Sequence, residues 1–294
     1  MFTRKAILTN IHKFSGGEIQ AISKTGIAIF DFSQSHLINS NQYDTVLIFS
    51  GGQEQSRMLE SIPKLPKDIM LGWWMCDFRT ADYFDNKLSK LVDYMFVPYY
   101  NYHEEFMKLA RYGVYYMPQP GNIWEHQSNR TINWQAVFIG NTAPNIYHAN
   151  RKDILSKIKE HANLHIITEN GVTSDQSFVY KNTPISISIS TPDMVGGSSN
   201  RLYNILAAGG CAFVKYFSKI EDMFNNHEHL VWFDSIEEIP ELLTLYLNNT
   251  DKIEQIKHNA KNIFNDKHTA SCRLFNIFSI MDGSCKDFFG KLEK

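Results

Sequence analysis

The chain has 294 residues, 43% of them hydrophobic and 20% charged, with a formal net charge of -2 and a pI of about 6.6. A chain of this length buries enough surface for two domains, and the absence of a basic excess argues against wholesale nucleic-acid binding. No apolar run nears the span of a bilayer and MFTRKAILTN reads as a first strand rather than a signal-peptide core, so a cytoplasmic protein is expected. The four cysteines, Cys76, Cys211, Cys272 and Cys285, form no CxxC pair, which suits reduced thiols and argues against a structural zinc.

In chain order, Lys5 to Asn10 is a short apolar strand, and HKFSGGEIQAISK after it is a glycine-containing loop that opens a helix. Ile27 to Phe32 and Thr45 to Ser50 read as buried strands, Gln55 to Ile62 as a helix, and Asp68 to Asp77 as a strand delivering Asp77 to a loop. A helix over Leu88 to Val92, a strand over Asp93 to Tyr100, a helix over His103 to Arg111 and a strand over Val114 to Pro120 complete a first domain, residues 1–120. Trp73, Trp74, Tyr94, Tyr99 and Tyr100 are read as core, with an aromatic platform at a cleft rim as the alternative. Pro118, Pro120, Gly121 and the polar run to Thr131 mark a linker at 121–133.

A second α/β series occupies 134–281. Ala136 to Asn141 is a strand into a glycine loop, Arg151 to His161 a helix, Leu164 to Thr168 a strand, and PISISIS (Pro184 to Ser190) an alternating strand. Then comes VGGSSNRLYNILAAGGCAFVKY, Val195 to Tyr216, which carries the most signals. Gly196 and Gly197 allow close backbone approach, Ser198 or Ser199 caps a helix running to about Ala208, and Gly209 and Gly210 end it. Gly197, Asn200, Arg201 and Asn204 share one face of that helix by spacing, opposite Leu202, Ile205 and Leu206. A helix start with open amides, small residues and an arginine in its first turn suits a phosphate or diphosphate; the alternative is a packing helix whose arginine pairs with a carboxylate. The strand CAFVKY, a strand over His229 to Phe233, and helices over Ile236 to Leu247, Asp251 to Phe264 and Thr269 to Met281 follow. The pairs His161/His165 and His227/His229 lack a third ligand and are read as surface or structural.

The order of elements implies two Rossmann-like domains of the α/β class facing a cleft. Ligands of such sheets sit beyond the carboxyl ends of the strands, so Asn10 to Gly17, Asp77, Gly140 to Asn145 and Asp193 to Arg201 are expected to converge on one crevice.

Three stretches carry a likeness to a known family. SNRLYNILAAGGCAFV, the series from FSKIEDMF to HNAKNIF, and HTASCRLFNI together resemble the group-1 glycosyltransferases of the GT-B fold, most closely the spore-maturation branch. SGGE and WWMCD extend the likeness into the first domain. The resemblance implies sugar transfer from a nucleotide sugar held by the second domain to a glycan, lipid-linked or other hydroxyl acceptor held by the first, with no essential metal or cofactor. It also implies that the C-terminal helix and tail, 268–294, cross back to the first domain. Two glutamates eight positions apart in many such proteins correspond here to Gly196 and Asn204.

On this footing Arg201, Gly197, Ser198, Ser199 and Asn204 are the expected donor-binding residues, with Gly140, Asn141 and Arg151 as the equivalent loop of the second domain's first strand. Asp193 either contacts donor sugar hydroxyls or forms an Asx turn. Asp77 is the candidate general base, or else a turn-forming Asp paired with Arg79; His12 is a second candidate base, or a solvated loop histidine. Gly16 and Gly17 resemble the paired glycines where acceptor or diphosphate meets backbone amides. KDFFGKLEK at the C-terminus is short and mixed, compatible with peripheral membrane contact. The competing readings are a non-catalytic nucleotide- or carbohydrate-binding module and a nucleotide-sugar epimerase on the same fold.

Overall fold

The computed structural model describes residues 4–10, 19, 22–51, 55–75, 92–100, 103–108, 110–121, 128–142, 151–168, 175–190 and 195–285. The strands are β1 Lys5–Thr9, β2 Ala28–Asp31, β3 Thr45–Ser50, β4 Met70–Met75, β5 Val92–Val97, β6 Ala110–Tyr116, β7 Ala136–Ile139, β8 Leu164–Ile167, β9 Ile185–Ser188, β10 Ala212–Lys215 and β11 Val231–Phe233. The α-helices are α1 Gln55–Ser61, α2 His103–Met107, α3 Arg151–His161, α4 Gln176–Asn182, α5 Asn200–Ala208, α6 Ile239–Leu247, α7 Thr250–Ile263 and α8 Ala270–Met281. They fall into two compact units, one made of Met1–Gln119 with Ala270–Lys294, the other of Pro120–Thr269.

The first unit is a six-stranded parallel sheet in the order β2-β1-β3-β4-β5-β6. β3 is buried along its whole length, as a strand covered on both faces must be, and its sequence TVLIFS is accordingly apolar between the hydroxyl residues Thr45 and Ser50 at its ends. Helix α8 supplies Ala270, Leu274, Ile277, Phe278, Ile280 and Met281 to the same core as Ile7, Leu47, Phe49, Trp74 and Phe96. Gly72 makes room for it, because a Cβ there would lie 2.7 Å from the Met281 sulfur. Trp73 and Trp74 are core residues, their indoles donating to Ser50 Oγ (2.9 Å) and the Met117 carbonyl (3.4 Å).

Three local expectations change. The strand expected to reach Phe32 stops at Asp31, whose carboxylate accepts from the Ser33 amide while the Gln34 side chain accepts from Asp31 N, so a 3-10 turn opens over Phe32–Leu37. The helix expected over His103 to Arg111 ends at Met107, because pairing of Ala110 with Val92 draws the following residues into β6. Val92, placed in a helix by its pattern, opens β5 for the same reason. Helix α4 was not anticipated; it lies in a polar stretch and buries only Val179 and Tyr180.

The second unit is a five-stranded parallel sheet ordered β11-β10-β9-β7-β8. Its first strand by sequence, β7, thus has the second, β8, on one side and the third, β9, on the other, so the winding reverses between β7 and β9. Ile154, Leu155 and Ile158 of α3 and Ile239, Leu243 and Tyr246 of α6 pack on the inward residues of this sheet, including the isoleucines of the alternating β9. Among the described residues no helix is long and apolar enough to cross a membrane.

One ionic knot ties the amino end of the first sheet. Lys5 Nζ donates to Thr45 Oγ1 (2.9 Å) and lies 3.2 Å from Asp44 and 2.5 Å from Asp282, just past α8. Burial alone would raise the pKa of Asp44, but the Thr45 hydroxyl, Lys5 and Arg4 outweigh it and hold the carboxyl below its ordinary value. The knot's stability is therefore present above the unfolded carboxyl value of about 3.9 and is lost as pH falls through the lower folded value. Thermal unfolding followed from pH 5 down to pH 2.5 should show a shallower acid loss in Asp44→Asn than in the native chain; identical slopes would remove Asp44 from the account.

Candidate functional site

The second unit's sheet opens at its switch point. β7 pairs with β9 only at Ala136↔Ile185 and Val137↔Ser186, whereas β7 stays with β8 through Ile139↔Ile167 and β9 stays with β10 through Ser188↔Val214. Beyond Val137 the two central strands part, and carbonyls that a ladder would have engaged need other donors. Two arginines supply them. Arg201 donates through Nε to the Ile139 carbonyl (2.7 Å) and through Nη1 to the Ile189 carbonyl (3.1 Å), bridging the gap. Arg151, the first residue of α3, donates through Nη1 to the Asn141 carbonyl (2.5 Å) and through Nη2 to the same Ile189 carbonyl (3.1 Å). Both guanidinium groups also lie by the ring of Phe138, their Cζ atoms 4.6 Å and 5.3 Å from its centroid.

Gly140 is required by this arrangement. Its φ is +154°, and a Cβ would collide with Arg201 Nη2 and lie 3.2 Å from Cζ. The guanidinium thus occupies the space that any other residue at 140 would fill.

The loop before α5 is fastened at both ends. The Gly196 amide, at φ +72°, donates to Ser218 Oγ (3.1 Å) from the loop after β10. Ser190 Oγ accepts from the Ser199 amide (3.1 Å) and shares a hydrogen bond with Ser198 Oγ (2.9 Å). Between these fastenings the backbone amides of Gly197 and Ser198, both in buried residues, donate to no group among the described residues. Ser199 is the N-cap residue, as expected, but its hydroxyl makes no capping bond and instead accepts from Arg201 Nη1 at 3.4 Å. The helix closes with Gly209 in the left-handed conformation, the Gly209 amide bonding Leu206 O and the Gly210 amide bonding Ile205 O, a Schellman stop.

The site residues expected from sequence divide into two groups. Arg201, Arg151, Gly140 and Asn141 meet at the parted ends of β7 and β9, and Ser198 and Ser199, which follow Gly197 in the loop, join them through Ser190. Asn204 lies one turn further along α5 and is 7% exposed, so the face expected to be polar is largely covered. Nearby Tyr180 is fully buried; burial pushes its pKa up, against the opposing charge of Arg201. Asp77, His12, Gly16, Gly17, Asp193 and Arg79 lie outside the described residues. Ser190, Ser218 and Phe138 were not anticipated; the alternating serines of PISISIS were the available signal for the first.

Residues 129–279, just over half of the chain, match the model of the glycosyl transferase-like family, and the chain belongs to that family. Among solved structures it is similar to HepE of Anabaena in complex with UDP-glucose, at a TM-score of 0.60 and 9% identity over 95% of this chain and 99% of that one. It is also similar to the lipopolysaccharide outer core galactosyltransferase WaaB in its apo form (TM-score 0.56, 10% identity, 96% and 99% covered) and to TarM of S. aureus (0.56, 9%, 85% of this chain). The chain spans 57% of the length of the TarM chain. These likenesses show the GT-B fold. No curated protein matches the sequence.

The geometry at Gly140 makes a sharp expectation. Gly140→Ala should destabilise the second unit by about 1–3 kcal/mol in urea denaturation, through backbone strain and displacement of the Arg201 guanidinium. An unchanged unfolding midpoint would show that the guanidinium moves aside at no cost.

Proposed function

We propose that the chain is a glycosyltransferase that moves a sugar from a nucleoside-diphosphate sugar to a hydroxyl of a glycan or lipid-linked acceptor. The observation that carries this reading is the loop leading into α5: the amides of Gly197 and Ser198, which donate to no group among the described residues, beside Arg201 at the switch point of a parallel sheet. Loop amides that lead into a helix start and a guanidinium offer fixed positive charge where a diphosphate oxygen would sit, and ligands of such sheets bind at this point. The solved structures of HepE with UDP and with UDP-glucose support the donor class.

In this reading an acceptor oxygen attacks the anomeric carbon, the bond from that carbon to the diphosphate oxygen breaks, and the diphosphate leaves carrying the bonding pair. Arg201 and the Gly197 and Ser198 amides stabilise the negative charge that grows on it, so the reaction does not call for a divalent cation. Asp77 takes the proton lost by the acceptor hydroxyl, with His12 the second candidate for that role. The spore-maturation branch is proposed on the likeness of SNRLYNILAAGGCAFV.

A second reading, a binding module without turnover, is favoured by one observation: the positions matched to the family's paired glutamates hold Gly196 and a buried Asn204. Both readings bind nucleotide and differ in transfer.

A thermal-shift screen against UDP, GDP, dTDP, CMP and ADP, with and without chelator, tests the donor site. A ligand at 100 times its Kd stabilises by about 2.7 kcal/mol, enough for a clear rise in Tm. One nucleoside diphosphate should raise Tm independently of chelator, and Arg201→Ala should abolish the rise. No response to any nucleotide in the native chain would sink the transferase reading. Asp77→Asn should keep the shift and lose transfer; full transfer in that variant would move the base elsewhere.

A further inference from the structure

The two arginines at the switch point are not equivalent. Arg151 is 5% exposed, and its guanidinium is turned onto the Asn141 and Ile189 carbonyls and the Phe138 ring. A group so enclosed is poorly placed to meet a ligand. Arg201 is more open, sits in the first turn of α5, and reaches the Ile139 carbonyl and the same Ile189 carbonyl. The Ile189 oxygen therefore receives one N–H from each guanidinium, using both of its lone pairs. Two cations that share one acceptor repel each other, and the carbonyls at the carboxyl ends of the strands offset that repulsion. The arrangement holds only while each fork keeps its place.

We propose that Arg151 is a positioning residue for Arg201. It fixes the Ile189 carbonyl and the Asn141 turn on the two sides of the parted strands, and so sets the distance that the Arg201 fork spans. Removing it frees the Ile189 oxygen to rotate and lets Arg201 leave the orientation in which it faces the amino end of α5. This assignment differs from direct donor contact, the role that residue type and loop position suggest for Arg151. The effect on ligand binding rests on the donor site described above, whereas the effect on Arg201 itself does not.

The geometry needs a planar fork, so a lysine, which keeps the charge and most of the stem, is the informative variant. The direct readout is the arginine Nε–Hε signal of Arg201 in the 15N–1H spectrum of the full chain, identified by its disappearance in Arg201→Lys. In Arg151→Lys that signal should shift and exchange with water about ten times faster, as expected when a hydrogen bond to a buried carbonyl loosens. Arg151→Met should behave alike, and if it fails to fold the lysine variant alone decides. An Arg201 signal unchanged in the folded lysine variant overturns the proposal. The second readout is UDP affinity in a double-mutant cycle. Arg151→Lys should weaken UDP about tenfold with Arg201 present and by less than about twofold in the Arg201→Lys background, which keeps the charge and measurable binding, because the first residue acts through the second. Equal losses in both backgrounds overturn it too. If the native chain binds no UDP or other nucleoside diphosphate, the transferase reading fails, and the Arg201 spectrum still decides the role of Arg151.

Discussion

The second unit depends on how two parallel strands are allowed to part. β7 keeps its pairing with β8, and the Gly140 amide extends it to the Ile167 carbonyl, while β9 leaves β7 after Ser186. A buried carbonyl without a donor costs on the order of 1–3 kcal/mol, so parting strands must find substitutes for the lost ladder. Here the substitutes are guanidinium groups, which carry several donors in fixed directions and can span a gap that a hydroxyl cannot. The rest follows from that choice. Phe138 gives the cations an aromatic face, residue 140 gives up its Cβ, and the start of α5 is brought over the opening by Ser190 and Ser218.

Much of this architecture could be read from pattern alone. Apolar runs such as TVLIFS and AVFI are strands because both faces of a parallel sheet are covered, and the sequence from Gly196 to Gly210 announces a loop, a helix and its stop through glycine at both ends. What escaped the reading is what depends on distant partners. Arg201 meets Ile139 across 62 positions and Arg151 meets Ile189 across 38, and no local spacing encodes such meetings. Ser199 has the composition and place of a cap, yet its hydroxyl is turned toward Arg201. The polar stripe through Asn204 is real as spacing, but α4 and α7 pack against α5, and Asn204 ends up buried. The short helix α4 and the early start of β6 were missed because tertiary pairing overrode a local pattern that was weak or pointed elsewhere. The periodicity of α8 does not say which core it joins, because its partners Ile7, Leu47 and Trp74 are far away in the sequence.

The two positions that the family resemblance matches to paired glutamates have physical content. Gly196 is left-handed at φ +72° and its amide is held by Ser218. A side chain there would strain the backbone at the point where the loop is fastened. Asn204 is buried in α5, where a neutral amide is accommodated at less cost than a carboxylate, which would demand a paired cation or several donors. A glutamate would strain the fastened loop at the first position and bury a carboxylate at the second.

The first unit is assembled from two separate segments of the chain, with a contiguous second unit inserted between them. On a ribosome this order has a price in time. The six strands of the first sheet emerge early, but the helix that covers Ile7, Leu47 and Trp74 emerges only after residue 269. The inserted unit is complete in the nascent chain before its host is, and can close while the earlier sheet still shows one apolar face. Maturation of the first unit is thus a post-insertion event, and the interval before it is when that sheet is most exposed to wrong partners.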